Sequence, residues 1–232
     1  NTYPVLGRPL MAYPLLAAKA SRLVEKIYVS TDSEKVKNFA LSHGVHVIDR
    51  PPELATKKAL GEDAYVHGFK HIRDTLGQSI ELIVLLFCNA ATLLDKTIDD
   101  GMQVLQGDPS LDSAVTVSPY NMWSPIRARK LDPDGLLQPF IPLKSFGSLD
   151  AVNCDRDSQG DVYFADMSMS IVRPRCLEDL NYGILPQRWM GQRIYPIKQW
   201  GGCDVDYEWQ IPLVEYWLLK HGFSAESTPY DA

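Results

Sequence analysis

Gly201-Gly202-Cys203-Asp204-Val205-Asp206-Tyr207-Glu208-Trp209 sets three carboxylates at alternate positions, directly ahead of an apolar helical run over residues 211–219. In an extended segment, a period of two puts Asp204, Asp206 and Glu208 on one face. Like-charge repulsion makes such a cluster costly unless something positive sits among the acids. Mg²⁺ suits that role: it takes one or two carboxylates, keeps several waters, and accepts phosphate oxygens for the rest. The alternative is a solvated strand end followed by helix-cap chemistry, with Asp206 or Glu208 favoured by the helix dipole. Spacing alone leaves both readings open.

Working outward, strands and helices alternate ahead of this stretch. A helix is expected over residues 10–20, a buried strand over 26–30, and a helix to about 43 capped from Thr31-Asp32-Ser33. A strand over 45–48, a helix over 62–75, a strand over 81–87, a helix over 95–106 and a strand over 113–118 follow. The run at 81–87 is almost purely apolar, as expected where helices cover both sheet faces. The alternation predicts an α/β fold with a doubly wound, mostly parallel sheet. Loops at the carboxyl ends of its strands, Ser30-Thr31-Asp32 and Phe87-Cys88-Asn89, are where a ligand is expected. Residues 121–160 break the pattern: Asp132-Pro133-Asp134-Gly135 between short apolar runs predicts a β-hairpin excursion, suited to a lid or a dimer arm. Trp123, Phe140 and Phe146 are expected to give it something to bury. The sheet resumes over 162–172, a helix follows over 176–180 and a strand over 194–197, all within one domain of residues 1–232.

Composition narrows the class. With 232 residues, 45% hydrophobic, and a net charge of −6, the chain has enough apolar content for a sizeable core and lacks the basic balance of a general nucleic-acid binder. No apolar run is long enough to cross a bilayer, so no membrane association is expected. Cys88, Cys154, Cys176 and Cys203 show no CxxC pairing and read as free thiols of a reducing cytoplasm. His67 and His71 have ligand spacing on a helix but no third partner, and Asp99-Asp100 reads as a solvated helix face.

The opening residues Asn1-Thr-Tyr-Pro-Val-Leu-Gly7-Arg8-Pro9-Leu10 resemble the start of sugar-activating nucleotidyltransferases. Val29-Ser30-Thr31-Asp32 and Arg50-Pro51-Pro52-Glu53-Leu54-Ala55 follow in the expected order, and Asp204-Val205-Asp206 is similar to the terminal Asp-x-Asp of the acylneuraminate cytidylyltransferases. The resemblance covers nearly the whole chain. It implies a Rossmann-like nucleotidyltransferase fold, a homodimer, and transfer of CMP from CTP to an acidic 3-deoxy sugar such as a sialic-acid-like nonulosonate, with release of pyrophosphate. Asp204 and Asp206 would hold Mg²⁺ on the triphosphate, and Arg127 would meet the acidic substrate. Asn1, Asp32 and Arg50 would contact the nucleotide, while Glu208 serves as a cap or supporting group.

The same family begins with a strand and a Gly-rich basic loop; the sequence here opens at that loop's last residue, Asn1, so the nucleotide loop is expected to lie outside it. The sugar pocket departs from the family. Cys88 and Asn89, with Ala90 and Ala91 behind them, stand where a glutamine and two hydroxyls are usual. Asp166 and Ser168 stand in a run that elsewhere carries an amide and an aromatic, and an aspartate there would repel an acidic sugar unless paired. Two alternatives therefore accompany the main reading: a non-catalytic nucleotide-binding member, and a nucleotidyltransferase for another sugar or a polyol phosphate.

Overall fold

A computed structural model describes residues 1–150 and 152–231. The chain opens with a small antiparallel clip, β1 (Pro4–Val5) and β2 (Arg8–Pro9), and enters helix α1 (Ala12–Ala20). Pro14 falls in the first turn of α1, where helix N–H groups have no intrahelical partner to lose. β3 (Tyr28–Thr31), α2 (Glu34–Ser42) and β4 (His46–Asp49) form a β-α-β unit with parallel strands, Tyr28 opposite His46. Helix α3 (Gly61–Lys70) loosens into a wider π turn over His71–Thr75, and β5 (Ile83–Leu86) and α4 (Asp95–Gly107) follow. Then come β6 (Ser113–Pro119), the hairpin β7 (Arg129–Leu131) and β8 (Leu137–Pro139), and β9 (Tyr163–Val172). Short helix α5 (Pro174–Glu178), strand β10 (Ile194–Lys198) and helix α6 (Ile211–Lys220) complete the order.

The main sheet runs β10-β6-β9-β5. Period-two alternation on its strands feeds two cores. Ala114, Met169 and Ile171 face α1 and α4, packing on Ala17, Ile98 and Leu105; Val115 and Val172 face the opposite way, onto Phe69, Leu177 and Trp189. Helices thus cover both faces, as a doubly wound sheet requires. Each fully buried aliphatic side chain, Ile98 or Ile171 for example, contributes about 1.5–3 kcal/mol. A third core under α6 joins Val5, Leu10 and Tyr13 to Ile211, Val214 and Trp217, tying the first residues to the last helix.

The sheet is mixed rather than mostly parallel. β10 runs parallel to β6, but β9 runs antiparallel to both β6 and β5. The physical reason lies in the connection: β9 is reached through the excursion at 121–160, not through a helical crossover, and only a crossover enforces parallel direction. β3 and β4 form a separate pair, so β3 and β5 each present one edge without a strand partner among the described residues. That explains why Val29 and the Ile83–Leu86 strand are only half buried where the apolar run predicts full burial.

The hairpin forms where the turn signal places it, with Leu131 opposite Leu137 and the Asp132 carboxylate accepting the N–H groups of Asp134 and Leu136 (3.0 and 2.8 Å). Its aromatic residues do not bury within the chain: Trp123 is 65% and Phe140 58% exposed. Asp99 also departs from expectation. It is buried, accepting from the Ser21 hydroxyl (2.6 Å) and the Arg22 N–H at the end of α1, and so joins two helices instead of facing solvent.

Candidate functional site

The carboxyl ends of β3, β4 and β5 enclose a cavity of about 300 Å³ lined by Asn1, Thr31, Asp32, Arg50 and Cys88. Arg50 is preorganised there: its guanidinium donates to the Ser30 carbonyl (2.7 Å) and hydroxyl (3.3 Å), leaving its remaining donors for a ligand. Asn1 is fixed through its carbonyl, which accepts the Met11 N–H (3.0 Å). Burial pushes the Cys88 thiol up, against the opposing charge of Arg50, so Cys88 stays protonated and lines the cavity as a small neutral group. Three residues assigned to a nucleotide and one assigned to a sugar thus share one cavity.

The acidic stretch is not a strand. Residues 201–207 form an open loop, and Glu208 begins a single 3₁₀ turn, Glu208–Gln210, that leads into α6. Gln210, not an acid, caps that turn by accepting the N–H groups of Asp206 and Tyr207 (2.8 and 2.7 Å). Glu208 turns away to meet the Tyr3 hydroxyl (3.5 Å), so the three carboxylates do not share one face.

What holds the loop is backbone. Gly202 donates to the Ser118 hydroxyl (3.0 Å) and its carbonyl accepts from Tyr120 Oη (2.7 Å). Cys203 N–H reaches Thr92 Oγ1 (3.1 Å), and Val205 exchanges hydrogen bonds with Asn89, N–H to carbonyl (2.9 Å) and carbonyl from side-chain amide (3.3 Å). Asn89 therefore braces the loop beside Cys88, which brings Asp204 against the end of β5. Half-buried Tyr65 registers the juxtaposition: burial raises its hydroxyl most, the Arg50 charge opposes this, and the Glu62 and Asp204 carboxylates add to it.

Asp204 is half-buried and Asp206 exposed. Burial first, and the neighbouring Asp206 carboxylate second, push the Asp204 carboxyl up. Among the described residues neither acid pairs with a Lys or Arg. Nor does any group of three or more His, Cys, Asp or Glu side chains gather to hold a metal alone, the His67 and His71 rings included. Two carboxylates left without a cation partner are the donor set Mg²⁺ uses when phosphate and water supply its other ligands.

Asp166 and Ser168 are buried beneath the loop rather than lining the cavity. Arg127 lies elsewhere, in a cavity of about 500 Å³ within the excursion, together with Ile126, Arg129, Leu143 and Cys154, and donates to the Cys154 carbonyl (2.8 Å). One copy of the chain does not join it to Asp204. Sequence reading missed Ser118, Tyr120 and Thr92, whose polar groups hold the loop, and Gln199, which binds Thr92, Asp166 and Ser168 beneath it. The one available signal was Gly201-Gly202, a backbone fit for close approach ahead of the acids.

A family model described as cytidylyltransferase matches residues 1–98, which include the whole lining of the smaller cavity. A Helicobacter pylori protein named pseudaminic acid cytidylyltransferase and UDP-2,4-diacetamido-2,4,6-trideoxy-beta-L-altropyranose hydrolase is 26% identical over 133 residues, 57% of this chain and 25% of that protein. An Escherichia coli N-acylneuraminate cytidylyltransferase is 38% identical over 74 residues, 32% of this chain and 18% of the relative. The matched parts thus span a quarter or less of these two relatives. A solved CMP:2-keto-3-deoxy-manno-octonic acid synthetase complexed with CTP superposes with a TM-score of 0.62 over 94% of this chain and 91% of its own, at 13% identity, which establishes the shared fold. The first 98 residues are thus similar to cytidylyltransferases, acylneuraminate and pseudaminic acid cytidylyltransferases among them, and the fold is shared with a CMP-sugar synthetase over nearly the full length.

Proposed function

We propose that the chain transfers CMP from CTP to the anomeric hydroxyl of an acidic 3-deoxy sugar of the nonulosonate class, with release of pyrophosphate. The observation that carries this reading is the placement of the acidic loop, pinned by Asn89 against the strand end that supplies Cys88 to the cavity of Asn1, Asp32 and Arg50. In the reaction the sugar oxygen bonds to the α-phosphorus as the bond to the pyrophosphate oxygen breaks. Such a step is mainly positioning and neutralisation of charge. Arg50 supplies a fixed cation to the nucleotide, and Asn1 and Asp32 border it. Asp204 and Asp206 would hold Mg²⁺, which when bound neutralises phosphate charge. Mg²⁺ dependence and a cytoplasmic site of action belong to this proposal.

Homodimerisation through the excursion completes it. Met122, Trp123, Leu131, Leu136, Leu137 and Phe140 are each more than half exposed, far more apolar surface than a short arm leaves to water. A second copy would cover them and carry its Arg127 to the substrate. One observation favours a second reading: Ala90 and Ala91 are fully buried and offer the sugar side no polar group, which suits a nucleotide-binding member without turnover. Incubation with CTP, Mg²⁺ and a panel of acidic nonulosonates, with pyrophosphate followed, tests both. Release dependent on one sugar supports synthesis. Silence across the panel with CTP still bound by calorimetry supports the second reading.

A further inference from the structure

Asp166 carries a carboxylate that is 4% exposed and pairs with no Lys or Arg among the described residues. A buried charge without a counter-ion is expensive unless hydrogen bonds surround it. They do: Oδ2 accepts from Ser118 Oγ (2.7 Å) and Gln199 Nε2 (2.9 Å), and Oδ1 accepts the Ser168 N–H (3.1 Å). Met167, between them, has φ +61°, in the left-handed region a non-glycine residue seldom occupies. β6 and β9 slip register at the same level, between Val115 and Val117. A strained bulge of this kind re-aims side chains and persists only where its surroundings hold it.

The re-aimed carboxylate serves the acidic loop. A hydroxyl has one proton. Because Ser118 gives its proton to Asp166, its lone pairs are left for the Gly202 N–H (3.0 Å). Thr92 repeats the arrangement one residue on: its oxygen meets Ser168 Oγ (3.0 Å) and accepts the Cys203 N–H (3.1 Å). Gln199 ties the two halves, its amide reaching Asp166, Ser168 and the Thr92 carbonyl (2.9, 3.2 and 3.2 Å). Gly202 can lie this close only without a side chain, since a Cβ there would stand 2.2 Å from Asp166 Oδ2.

We infer that Asp166 is a positioning residue for the carboxylates proposed to bind metal: through Ser118 it sets Gly202, next to the Cys203 that Thr92 holds, and so the backbone from which Asp204 projects, and its uncompensated charge behind the loop strengthens the field that holds a divalent cation at Asp204 and Asp206. It is not itself a ligand, because its oxygens are taken up beneath the loop. The inference rests on the nucleotidyltransferase reading above.

Mn²⁺ binding in the presence of CTP, followed by electron paramagnetic resonance without any sugar, tests it apart from turnover. Asp166→Asn removes the charge while keeping the shape, and Ser118→Ala removes the relay while keeping the charge. Supporting partners of metal ligands typically contribute 10–100-fold in affinity, so each variant is expected to weaken Mn²⁺ by roughly 10-fold. CTP affinity without metal should hold, as should near-ultraviolet circular dichroism, which a merely structural role would not separate from the metal response. Wild-type Mn²⁺ affinity in either folded variant overturns the inference; should Asp166→Asn fail to fold, Ser118→Ala alone decides it. Absence of Mn²⁺ binding by the wild-type protein with CTP would instead sink the nucleotidyltransferase reading.

Discussion

Gly202→Ala would place a methyl group 2.2 Å from Asp166 Oδ2 and 2.5 Å from both Asp166 Cγ and Gln199 Nε2, where ordinary contact begins at 3.4 Å. None of these atoms is a free side-chain end, because each is held by the buried hydrogen bonds to Ser118, Ser168 and Thr92. Either the loop lifts or Asp166 swings, by about 1 Å in both cases. Both routes break two or three buried hydrogen bonds, each costing about 1–3 kcal/mol when its partners are left unmet, so the total is about 3–6 kcal/mol. For a chain of this size, 1 kcal/mol corresponds to about 2–4 °C, and the melting temperature should fall by roughly 10 °C. If the loop lifts, Asp204 moves with it, and a misplacement of about 1 Å costs on the order of 10²-fold in rate. Melting curves and pyrophosphate release at saturating CTP across a Mg²⁺ series read both effects. Gly201→Ala is the control: its φ of +65° strains an alanine, but the nearest atom is 3.5 Å away on Trp217, so only a backbone cost of about 1 kcal/mol is expected. Gly202→Ala melting within about 2 °C of wild type with undiminished turnover would refute the account of the loop.

Asp204→Asn should abolish Mg²⁺-dependent turnover with the fold intact. Because the folded Asp204 carboxyl is raised, its ionised form costs stability above the ordinary carboxylate value of about 4; the variant should melt at or above wild type at pH 7, with the gap closing below about pH 4, and unchanged turnover would show the acidic stretch misread. Asp112 is fully buried, and although burial pushes its carboxyl up, the N–H groups of Arg193 and Gln192 with Arg175 and Tyr182 outweigh this and lower it. Asp112→Ala should therefore cost about 3 kcal/mol at pH 7, a loss that shrinks as pH falls through the lowered value; an equal deficit at pH 7 and pH 2 would contradict it. Leu137→Asp, on the exposed hairpin, should give a monomer by light scattering at micromolar concentration where the wild type is a dimer. A monomeric wild type would remove the arm from the proposal.

Local chemistry was readable where one residue pattern decides one structure. The Ile83–Leu86 run made its strand, and Asp132-Pro133-Asp134-Gly135 made its turn, because the Asp132 carboxylate satisfies the turn's N–H groups without help from the rest of the fold. Asp32, Arg50 and Cys88 could be gathered for a topological reason: each stands just past the carboxyl end of a strand, where a ligand is expected in such a sheet, whereas Asn1 was placed by the family resemblance alone. The direction of β9 was not readable, since it depends on how the excursion returns. Neither was the loop at 201–207, where alternation of acids imitated a strand. The competing information lay in Gly202 and Gln210, whose partners are distant in sequence: Ser118 is 84 residues from Gly202. Asp166 was misplaced for a related reason. A period of two puts it on one face with Ser168, but which face is decided by the bulge at Met167.

The division of labour around Asp204 follows from these placements. A carboxylate that must bind a cation cannot also be consumed by its own scaffold, so the loop has to be held by something other than its acids. Gly202, Cys203 and Val205 are all held through backbone N–H or carbonyl groups, and Asp206 contributes only its N–H to Gln210. Among the described residues the Asp204 and Asp206 side chains pair with no cation of the chain's own. The resulting repulsion is expressed in the raised Asp204 carboxyl, and relief comes only from an added positive charge. Burying a further carboxylate, Asp166, directly behind such a loop would work against stability if structure were its whole purpose, because a neutral hydrogen-bonding side chain could brace Ser118 at lower cost. On the proposed Mg²⁺ reading its charge has a use: with a cation bound, each nearby negative group lowers the free energy of that cation, and the strained turn at Met167 keeps the charge in place.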